Sequence, residues 1–175
     1  GTLVDTVSDI TYYANQVLAQ AGYSKHSVEE VKKAIGLGVH ELFNSLEPSL
    51  GLDAASLDQA VLSFKAQYRL APVRETRPYP HVLELLSGKL ANTPKAIVTN
   101  KPQDITEQIL SELGMADYFK YVIGMHAGYP PKPDPAAMEF IIDKMGQPKS
   151  SVVYLGDSRV DSMTCQNAVV DFVWM

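Results

Sequence analysis

The chain has 175 residues, of which 46% are hydrophobic and 20% charged, enough to bury a substantial core and to hold one domain with an insertion. Its formal net charge of −5 and its lack of a Lys/Arg cluster argue against nucleic-acid binding, because affinity for a phosphate backbone needs clustered cations. Its apolar runs are too short to span a bilayer, and its single cysteine, Cys165, excludes an internal disulfide framework and fits a reducing cytoplasm.

The two ends of the sequence predict that it is a piece of a longer protein. It opens with Gly1-Thr2-Leu3-Val4-Asp5-Thr6, a loop-like segment with no strand in front of it. Asp5 is expected to cap the helix that follows. The last residues, 169–175, predict a strand without a closing turn or helix.

Residues 7 to about 72 have a helical pattern throughout. Apolar residues recur there at spacings of three and four, as in Ile10, Tyr13, Ala14, Val17 and Leu18. Three breaks divide this part into about four helices, at Gly22, at Gly36-Leu37-Gly38 and at Glu47-Pro48 through Gly51. We therefore predict a separate helical domain over residues 7–74.

From residue 79 onward, predicted helices alternate with short apolar strands. The helices are predicted at 80–91, 102–114, 134–146 and 159–168, and the strands at 95–99, 121–124, 152–155 and 170–174. Strands separated by helices imply parallel pairing through right-handed crossovers. The predicted fold class is α/β, with a Rossmann-like parallel sheet core from residues 1–6 and 75–175 and an inserted helical domain.

Two acids follow the strand predicted at 152–155. The segment Gly156-Asp157-Ser158-Arg159-Val160-Asp161 brings both carboxylates to the end of that strand. Carboxylate oxygens suit Mg²⁺, which is usually held by one or two carboxylates, waters and a substrate phosphate. By itself the segment also fits a turn residue or a helix N-cap, so both interpretations stay open here.

Two further segments carry polar groups to the same edge of the predicted sheet. Ala96-Ile97-Val98-Thr99-Asn100-Lys101 closes on a hydroxyl, an amide and an amine, and Lys132 lies between prolines in Lys132-Pro133-Asp134-Pro135. Open parallel sheets bind ligands beyond the carboxyl ends of their strands. We therefore expect Thr99, Asn100, Lys132 and the paired acids to converge, although each alone could be an ordinary strand, turn or surface residue.

In this order, the segments resemble the haloacid dehalogenase superfamily of phosphatases, and most closely its phosphoglycolate phosphatase-like branch. That branch opens with Asp-x-Asp-Gly-Thr-Leu-Val-Asp-Ser, of which residues 1–6 match only the tail. The resemblance implies that a nucleophilic Asp and a general acid/base Asp lie immediately before Gly1. It also implies that the helical domain is a small cap that closes over compact substrates.

The resemblance implies roles for the charged residues. Asp157 would be a direct Mg²⁺ ligand. Asp161, one turn further on, would bind the ion through water or orient Lys132. Lys132 would neutralise the phosphoryl oxygens of the substrate. Ser158 is expected to support other site residues or to be peripheral.

It also implies roles for the neutral donors. The Thr99 hydroxyl and the Asn100 backbone amide would donate to the phosphoryl group as charge builds on it. Gly1 and Thr2 would contact the substrate. Lys101 is expected to support other site residues or to be peripheral.

The implied activity is Mg²⁺-dependent hydrolysis of small phosphorylated metabolites, with phosphoglycolate the leading candidate. The Gly156-Asp157 pair favours a phosphohydrolase over a dehalogenase. A sugar-phosphate mutase of the same superfamily and a catalytically inactive phospho-ligand-binding or scaffold protein are the alternatives. We expect a cytoplasmic monomer or homodimer without nucleic-acid or membrane partners, whose substrate specificity resides around residues 35–40.

Overall fold

The computed structural model describes residues 1–50 and 53–175. Gly51, the last residue of the third predicted helix break, lies outside the described residues. The chain divides into two compact units, one of residues 1–4 and 78–175 and the other of residues 5–77. We call them the α/β unit and the helical unit. The assignment of residues 7–74 as a cap stays a prediction.

The helical unit contains four α-helices in its described residues, in agreement with the helical pattern of the sequence. They are α1 (Val7–Gln20), α2 (Val28–Ala34), α3 (Val39–Leu46) and α4 (Ala54–Leu70). Their core is aromatic, with ring centroids 5.4 Å apart for Tyr13 and Tyr68, 5.8 Å for Phe43 and Phe64, and 5.5 Å for Phe64 and Tyr68. Such tilted and edge-to-face pairs add to the stability gained from apolar burial.

A buried carboxylate fixes the last segment of the helical unit to its first helix. Asp9 of α1 is only 1% exposed. Its oxygens accept hydrogen bonds from the backbone amides of Arg74 (3.0 Å), Glu75 (3.0 Å) and Thr76 (2.9 Å), and from the Thr76 hydroxyl (2.7 Å). These donors satisfy the carboxylate, which would otherwise be costly to bury.

The start of α1 is capped as expected, although not from the N-cap position. The Val7 amide donates to the Asp5 carboxylate at 3.0 Å. Thr6 is the N-cap residue by its backbone geometry, and its side chain makes no capping hydrogen bond. Asp5 therefore satisfies one of the amides that a helix start leaves without an intrahelical partner.

The α/β unit alternates strands and helices. Its helices are α5 (Val82–Ser87), α6 (Gln103–Glu112), α7 (Ala136–Met145) and α8 (Arg159–Ala168). The strands of the chain are β1 (Val4–Asp5), β2 (Arg77–Pro78), β3 (Ala96–Pro102), β4 (Tyr121–Met125), β5 (Val153–Gly156) and β6 (Asp171–Trp174). β1 pairs with β2, β3 with β4 and β5 with β6, and the last two pairs are parallel. The predicted α/β class with parallel strands is confirmed.

The prediction of a strand at 95–99 was too short. β3 continues to Pro102, which pairs with Met125 of β4. Regular pairing nevertheless stops at Val98, opposite Ile123, so that residues 99–101 form an irregular stretch of the strand. This bulge explains why Thr99 and Asn100 lie within a strand and still leave the regular ladder.

The helix predicted at 80–91 was too long. α5 ends at Ser87, and residues 88–91 form turns, with the Ala91 amide bonded to the Gly88 carbonyl at 3.0 Å. The Lys95 ammonium contacts the carbonyl oxygens of Leu90 and Thr93. These contacts satisfy carbonyl groups in the turns that connect α5 to β3.

Cys165 lies in the core of the α/β unit. It is 1% exposed and packs with Met138, Ile142 and Ala168 of α7 and α8. Burial raises the pKa of its thiol to about 11, so the sulfur is protonated near neutral pH. Among the described residues, no helix is long and apolar enough to cross a membrane.

Candidate active site

The centre of the candidate site is an ion pair between Lys132 and Asp161. Lys132 Nζ lies 2.5 Å from Asp161 Oδ1, and the two side chains are 11% and 5% exposed. Burial raises the pKa of Asp161, but the Lys132 charge and hydrogen bonds from Lys132 and Ser158 outweigh it. The net effect is a lowered pKa, so Asp161 is a carboxylate near neutral pH.

Asp161 is held by the start of α8. Its Oδ2 accepts from the Ser158 amide (3.0 Å), the Ser158 hydroxyl (2.6 Å) and the Asp157 amide (3.3 Å), and Ser158 Oγ accepts from the Asp161 amide at 3.2 Å. This is a capping box, with Ser158 as the N-cap residue. Of the two roles expected for Ser158, the structure shows the supporting one, because its hydroxyl and amide orient the acid that pairs with Lys132.

Gly156 allows Asp161 to lie against the end of β5. A Cβ atom at Gly156 would lie 2.6 Å from Asp161 Cβ and 2.9 Å from a ring carbon of Phe172. Real side chains do not tolerate such distances. The glycine is therefore required for close packing between the strand and α8.

Asp157 lies beside this pair and is more open to solvent. Its side chain is 39% exposed, Oδ1 accepts from the Thr2 hydroxyl at 2.8 Å, and Oδ2 is 3.5 Å from the Gly1 nitrogen. Thus Gly1, Thr2 and Asp157, which are far apart in sequence, are neighbours in the structure.

The two acids differ in their capacity for a metal ion. The oxygens of Asp161 are occupied by donors, whereas Asp157 offers a partly exposed carboxylate, the oxygen ligand that Mg²⁺ prefers. In residues 1–50 and 53–175, no group of three or more His, Cys, Asp or Glu side chains could hold a metal. A Mg²⁺ site with one carboxylate, waters and a substrate phosphate is compatible with these residues.

Asn100 holds the backbone of Lys132. Its Oδ1 accepts from the Lys132 amide at 2.8 Å and its Nδ2 donates to the Lys132 carbonyl at 3.1 Å. Asn167 of α8 donates to the next carbonyl, that of Pro133, at 3.0 Å. The sequence predicted a role for the backbone amide of Asn100; the structure adds that its side chain joins β3 to the lysine loop.

Thr99 uses its hydroxyl locally. Its Oγ1 accepts from the Lys101 amide at 3.1 Å, within the irregular part of β3. The hydroxyl hydrogen can still donate to a ligand, because the oxygen acts as the acceptor in this bond. The structure therefore connects Asn100 to Lys132, Lys132 to Asp161 and Asp161 to the Asp157 amide by direct hydrogen bonds. Thr99 is connected to this group through the residues on either side of it, Val98 and Asn100.

All 175 residues match the model of the haloacid dehalogenase-like hydrolase family. The chain belongs to this family. The resemblance inferred from its motifs, including the likeness to the phosphoglycolate phosphatase-like branch, is confirmed.

Its relatives include proteins named phosphoglycolate phosphatase. The one from Pseudomonas syringae pv. syringae is 33% identical over 177 residues, which cover 97% of this chain and 64% of the relative. The one from Photobacterium profundum is 32% identical over 179 residues, which cover 99% of this chain and 78% of the relative. The chain thus spans less than two thirds of the length of the first.

A solved structure supports the same fold. A protein of Haemophilus somnus 129pt, described as a predicted phosphoglycolate phosphatase, has a TM-score of 0.90 and 25% sequence identity to this chain. The match covers 99% of this chain and 80% of that structure.

One residue of this haloacid dehalogenase-like site was missed by the sequence reasoning. Tyr154 of β5 donates from its hydroxyl to the Val98 carbonyl at 2.9 Å and lies 3.1 Å from both Lys132 Nζ and Asp161 Oδ1. Burial, followed by the charge of Asp161, raises its pKa, so the phenol stays protonated. The available signal was a tyrosine in an otherwise aliphatic strand, since a buried tyrosine hydroxyl usually finds a hydrogen-bond partner.

Proposed function

We propose that this chain is part of a Mg²⁺-dependent phosphatase of small phosphorylated metabolites, with phosphoglycolate as the first candidate substrate. The observation that carries the proposal is the buried Lys132–Asp161 pair beside the more exposed Asp157. Similarity to proteins named phosphoglycolate phosphatase supports the choice of substrate.

The charges at this site suit a phosphate monoester. Such a substrate carries about two negative charges near neutral pH, so an attacking carboxylate is repelled unless cations neutralise the phosphoryl oxygens. Lys132 provides one fixed positive charge, and Asp161 holds it in place. Mg²⁺ bound at Asp157 would supply further neutralisation of the phosphoryl group.

The covalent chemistry follows the pattern that the family resemblance implies. A carboxylate that the resemblance places before Gly1 would attack phosphorus, and the bond from phosphorus to the ester oxygen would break. A second carboxylic acid gives its proton to the departing alcohol. In the second step water gives a proton to this second carboxylate and attacks phosphorus, and the bond from phosphorus to the first carboxylate breaks, which releases inorganic phosphate and restores both groups. Thr99 and the Asn100 amide would donate to the phosphoryl oxygens during both steps.

Release of inorganic phosphate from phosphoglycolate and from p-nitrophenyl phosphate, with Mg²⁺ and with EDTA, tests the proposal on the full-length protein. We expect release only with Mg²⁺. Asp157→Asn should raise the Mg²⁺ concentration needed for half the maximal rate, because a neutral amide replaces an anionic ligand. Asp171→Asn, which changes an exposed acid of β6, is the matched control and should leave that concentration unchanged.

Three outcomes would reject the proposal. Undiminished release in EDTA would contradict the metal requirement. Isomerisation of a sugar phosphate without net phosphate release would indicate a mutase, and binding of phosphate esters without turnover would indicate an inactive binding protein. The cytoplasmic location and the monomeric or homodimeric state remain proposals from the sequence.

A further inference from the structure

We propose that Tyr154 is a positioning residue for Lys132, whose hydroxyl fixes the direction of the lysine ammonium and couples it to the strand that carries Thr99. This inference rests on the proposed phosphatase function. It concerns a residue that lies in the middle of β5, outside the motifs that indicated the site.

The hydrogens of the Lys132 ammonium lead to this role. A lysine ammonium has three hydrogens and no acceptor. One is directed to Asp161 Oδ1 at 2.5 Å and one to the Tyr154 oxygen at 3.1 Å. The third has no hydrogen-bond partner in the part of the chain that the structure describes. With the Asp161 contact alone, the ammonium could pivot about that hydrogen bond. The second contact, to Tyr154, fixes the direction of the third hydrogen.

The hydroxyl of Tyr154 has its own hydrogen directed elsewhere. A phenol can donate one hydrogen and accept others. The shorter of its two acceptor distances is to the Val98 carbonyl, at 2.9 Å, against 3.1 Å to Asp161 Oδ1. With its hydrogen on Val98, the oxygen accepts from Lys132. Val98 directly precedes Thr99. The hydrogen bond from Tyr154 to the Val98 carbonyl therefore helps to position both the lysine charge and the Thr99 hydroxyl.

The ring of Tyr154 is placed by the core and not by the lysine loop. It packs against a buried cluster of Met138, Ile142, Cys165 and Ala168. It is also stacked with Phe172 of the neighbouring strand β6, at a centroid distance of 6.4 Å. Packing of the ring in the core therefore fixes the position of the Tyr154 hydroxyl. Asn100 separately fixes the backbone of Lys132.

A double-mutant cycle in the full-length protein tests whether Tyr154 acts through Lys132. Tyr154→Phe keeps the ring and removes the hydroxyl. We expect kcat for phosphate release to fall about tenfold, the value of one hydrogen bond to a charged group, with KM changing less than about twofold. In a Lys132→Ala background, the same substitution should have no further effect on kcat. Equal losses in both backgrounds would show that Tyr154 does not act through the lysine.

Tyr121→Phe is the matched control for the loss of a tyrosine hydroxyl. Tyr121 is also a strand tyrosine with a lysine near its ring, because Lys120 Nζ lies 5.7 Å from the ring centroid. It belongs to β4 and makes no contact with Lys132 among the interactions found in the described residues. We expect its substitution to leave kcat and KM unchanged.

A measurement without turnover separates this inference from the proposed function. The ¹H–¹⁵N NMR signal of the Lys132 ammonium should show restricted motion in the wild type and in Tyr121→Phe, and faster motion in Tyr154→Phe. If the wild-type protein releases no phosphate, the proposed function fails and the NMR comparison still decides the positioning role. If phosphate is released but the ammonium moves equally in all three proteins, the positioning role is wrong and the function stands.

Discussion

The two units of the chain each bury a carboxylate, and they satisfy it in different ways. In the helical unit, Asp9 is 1% exposed and accepts hydrogen bonds from backbone amides of residues 74–76 and from a hydroxyl. In the α/β unit, Asp161 is 4% exposed and accepts from two amides, a hydroxyl and the ammonium of Lys132.

This difference distinguishes an acid that fixes the backbone from an acid that holds a charged side chain. The donors of Asp9 belong mainly to the backbone, so their hydrogen bonds fix the path of the chain. The main partner of Asp161 is a cation on a long side chain, which the carboxylate holds in one place. A satisfied network of buried polar groups is rigid, and here it fixes the charge to which we assign the substrate phosphate in the proposed function.

The largest expected effect tests the structural role of Asp9. Asp9→Ala removes the acceptor of three backbone amides and the Thr76 hydroxyl. We expect a loss of about 3–4 kcal/mol in the free energy of unfolding, because buried donors are left without partners. Urea unfolding followed by circular dichroism measures it.

Asp58→Ala is the control for this substitution. Asp58 is also an acid of the helical unit, but its side chain is 66% exposed and pairs with His40 on the surface. An exposed pair of this kind contributes at most about 1 kcal/mol. Equal losses from the two substitutions would remove the distinction between Asp9 and a surface acid.

The next largest effect tests the proposed role of Lys132, the partner of Asp161. Lys132→Ala should lower phosphate turnover by about 10²-fold, the order of magnitude for loss of one donor that stabilises the transition state. Lys144→Ala removes an exposed lysine on α7 and should leave turnover unchanged. Steady-state rates of the two variants provide the comparison. A change below about threefold for Lys132 would make it an ordinary lysine of the fold.

A smaller effect concerns the pH dependence of stability. Because the pKa of Asp161 is lowered in the folded protein, protonation favours the unfolded chain. The contribution of the carboxylate is complete above the ordinary aspartate pKa of about 3.9 and is lost as pH falls below it, through the folded pKa. The difference in unfolding free energy between wild type and Asp161→Asn should therefore be constant above pH about 5 and should shrink below pH about 4. Growth of that difference toward acid pH would contradict the prediction.

The smallest expected effect tests whether the helical unit, besides its structural role, influences which substrate is preferred. Leu37 is 60% exposed and lies between Gly36 and Gly38, whose φ values are +141° and +100°. A side chain at either glycine would strain the backbone, so Leu37→Ala is the cleaner probe of this turn. We expect kcat/KM for phosphoglycolate to fall about three- to tenfold relative to that for p-nitrophenyl phosphate.

Leu62→Ala is the control for selectivity, because Leu62 is a similarly exposed leucine on α4, with 62% exposure. It should change the two substrates equally. If Leu37→Ala also changes them equally, the turn is a helix connection and the helical unit keeps only its structural role.

Much of the site could be predicted because its groups follow short apolar strands. Asp157 and Lys132 lie where strand order and sheet geometry place them. The side-chain role of Asn100 could not be predicted, since its bonds to Lys132 join residues that are distant in sequence. A supporting role for Ser158 was among the expectations, and its spacing to Asp161 fits a capping box that uses Asp in place of Glu.

Tyr154 illustrates the limit of periodicity as evidence. In the run Val152-Val153-Tyr154-Leu155, a tyrosine counts as one more apolar residue, and its ring does pack in the core. Only the fold shows that its hydroxyl emerges between Val98 and Lys132. The length of β3 was missed for a related reason, because a bulge depends on the partner strand and leaves no mark in the pattern of one strand.

Gly156 sets a boundary for engineering this site. Its missing methyl group keeps the first turn of α8 next to the strand end, since a Cβ there would lie 2.6 Å from Asp161 Cβ. A library that varies every residue near the ion pair would therefore lose nearly all members at this position, including alanine. Any redesign of the proposed site therefore has to leave this spacing intact.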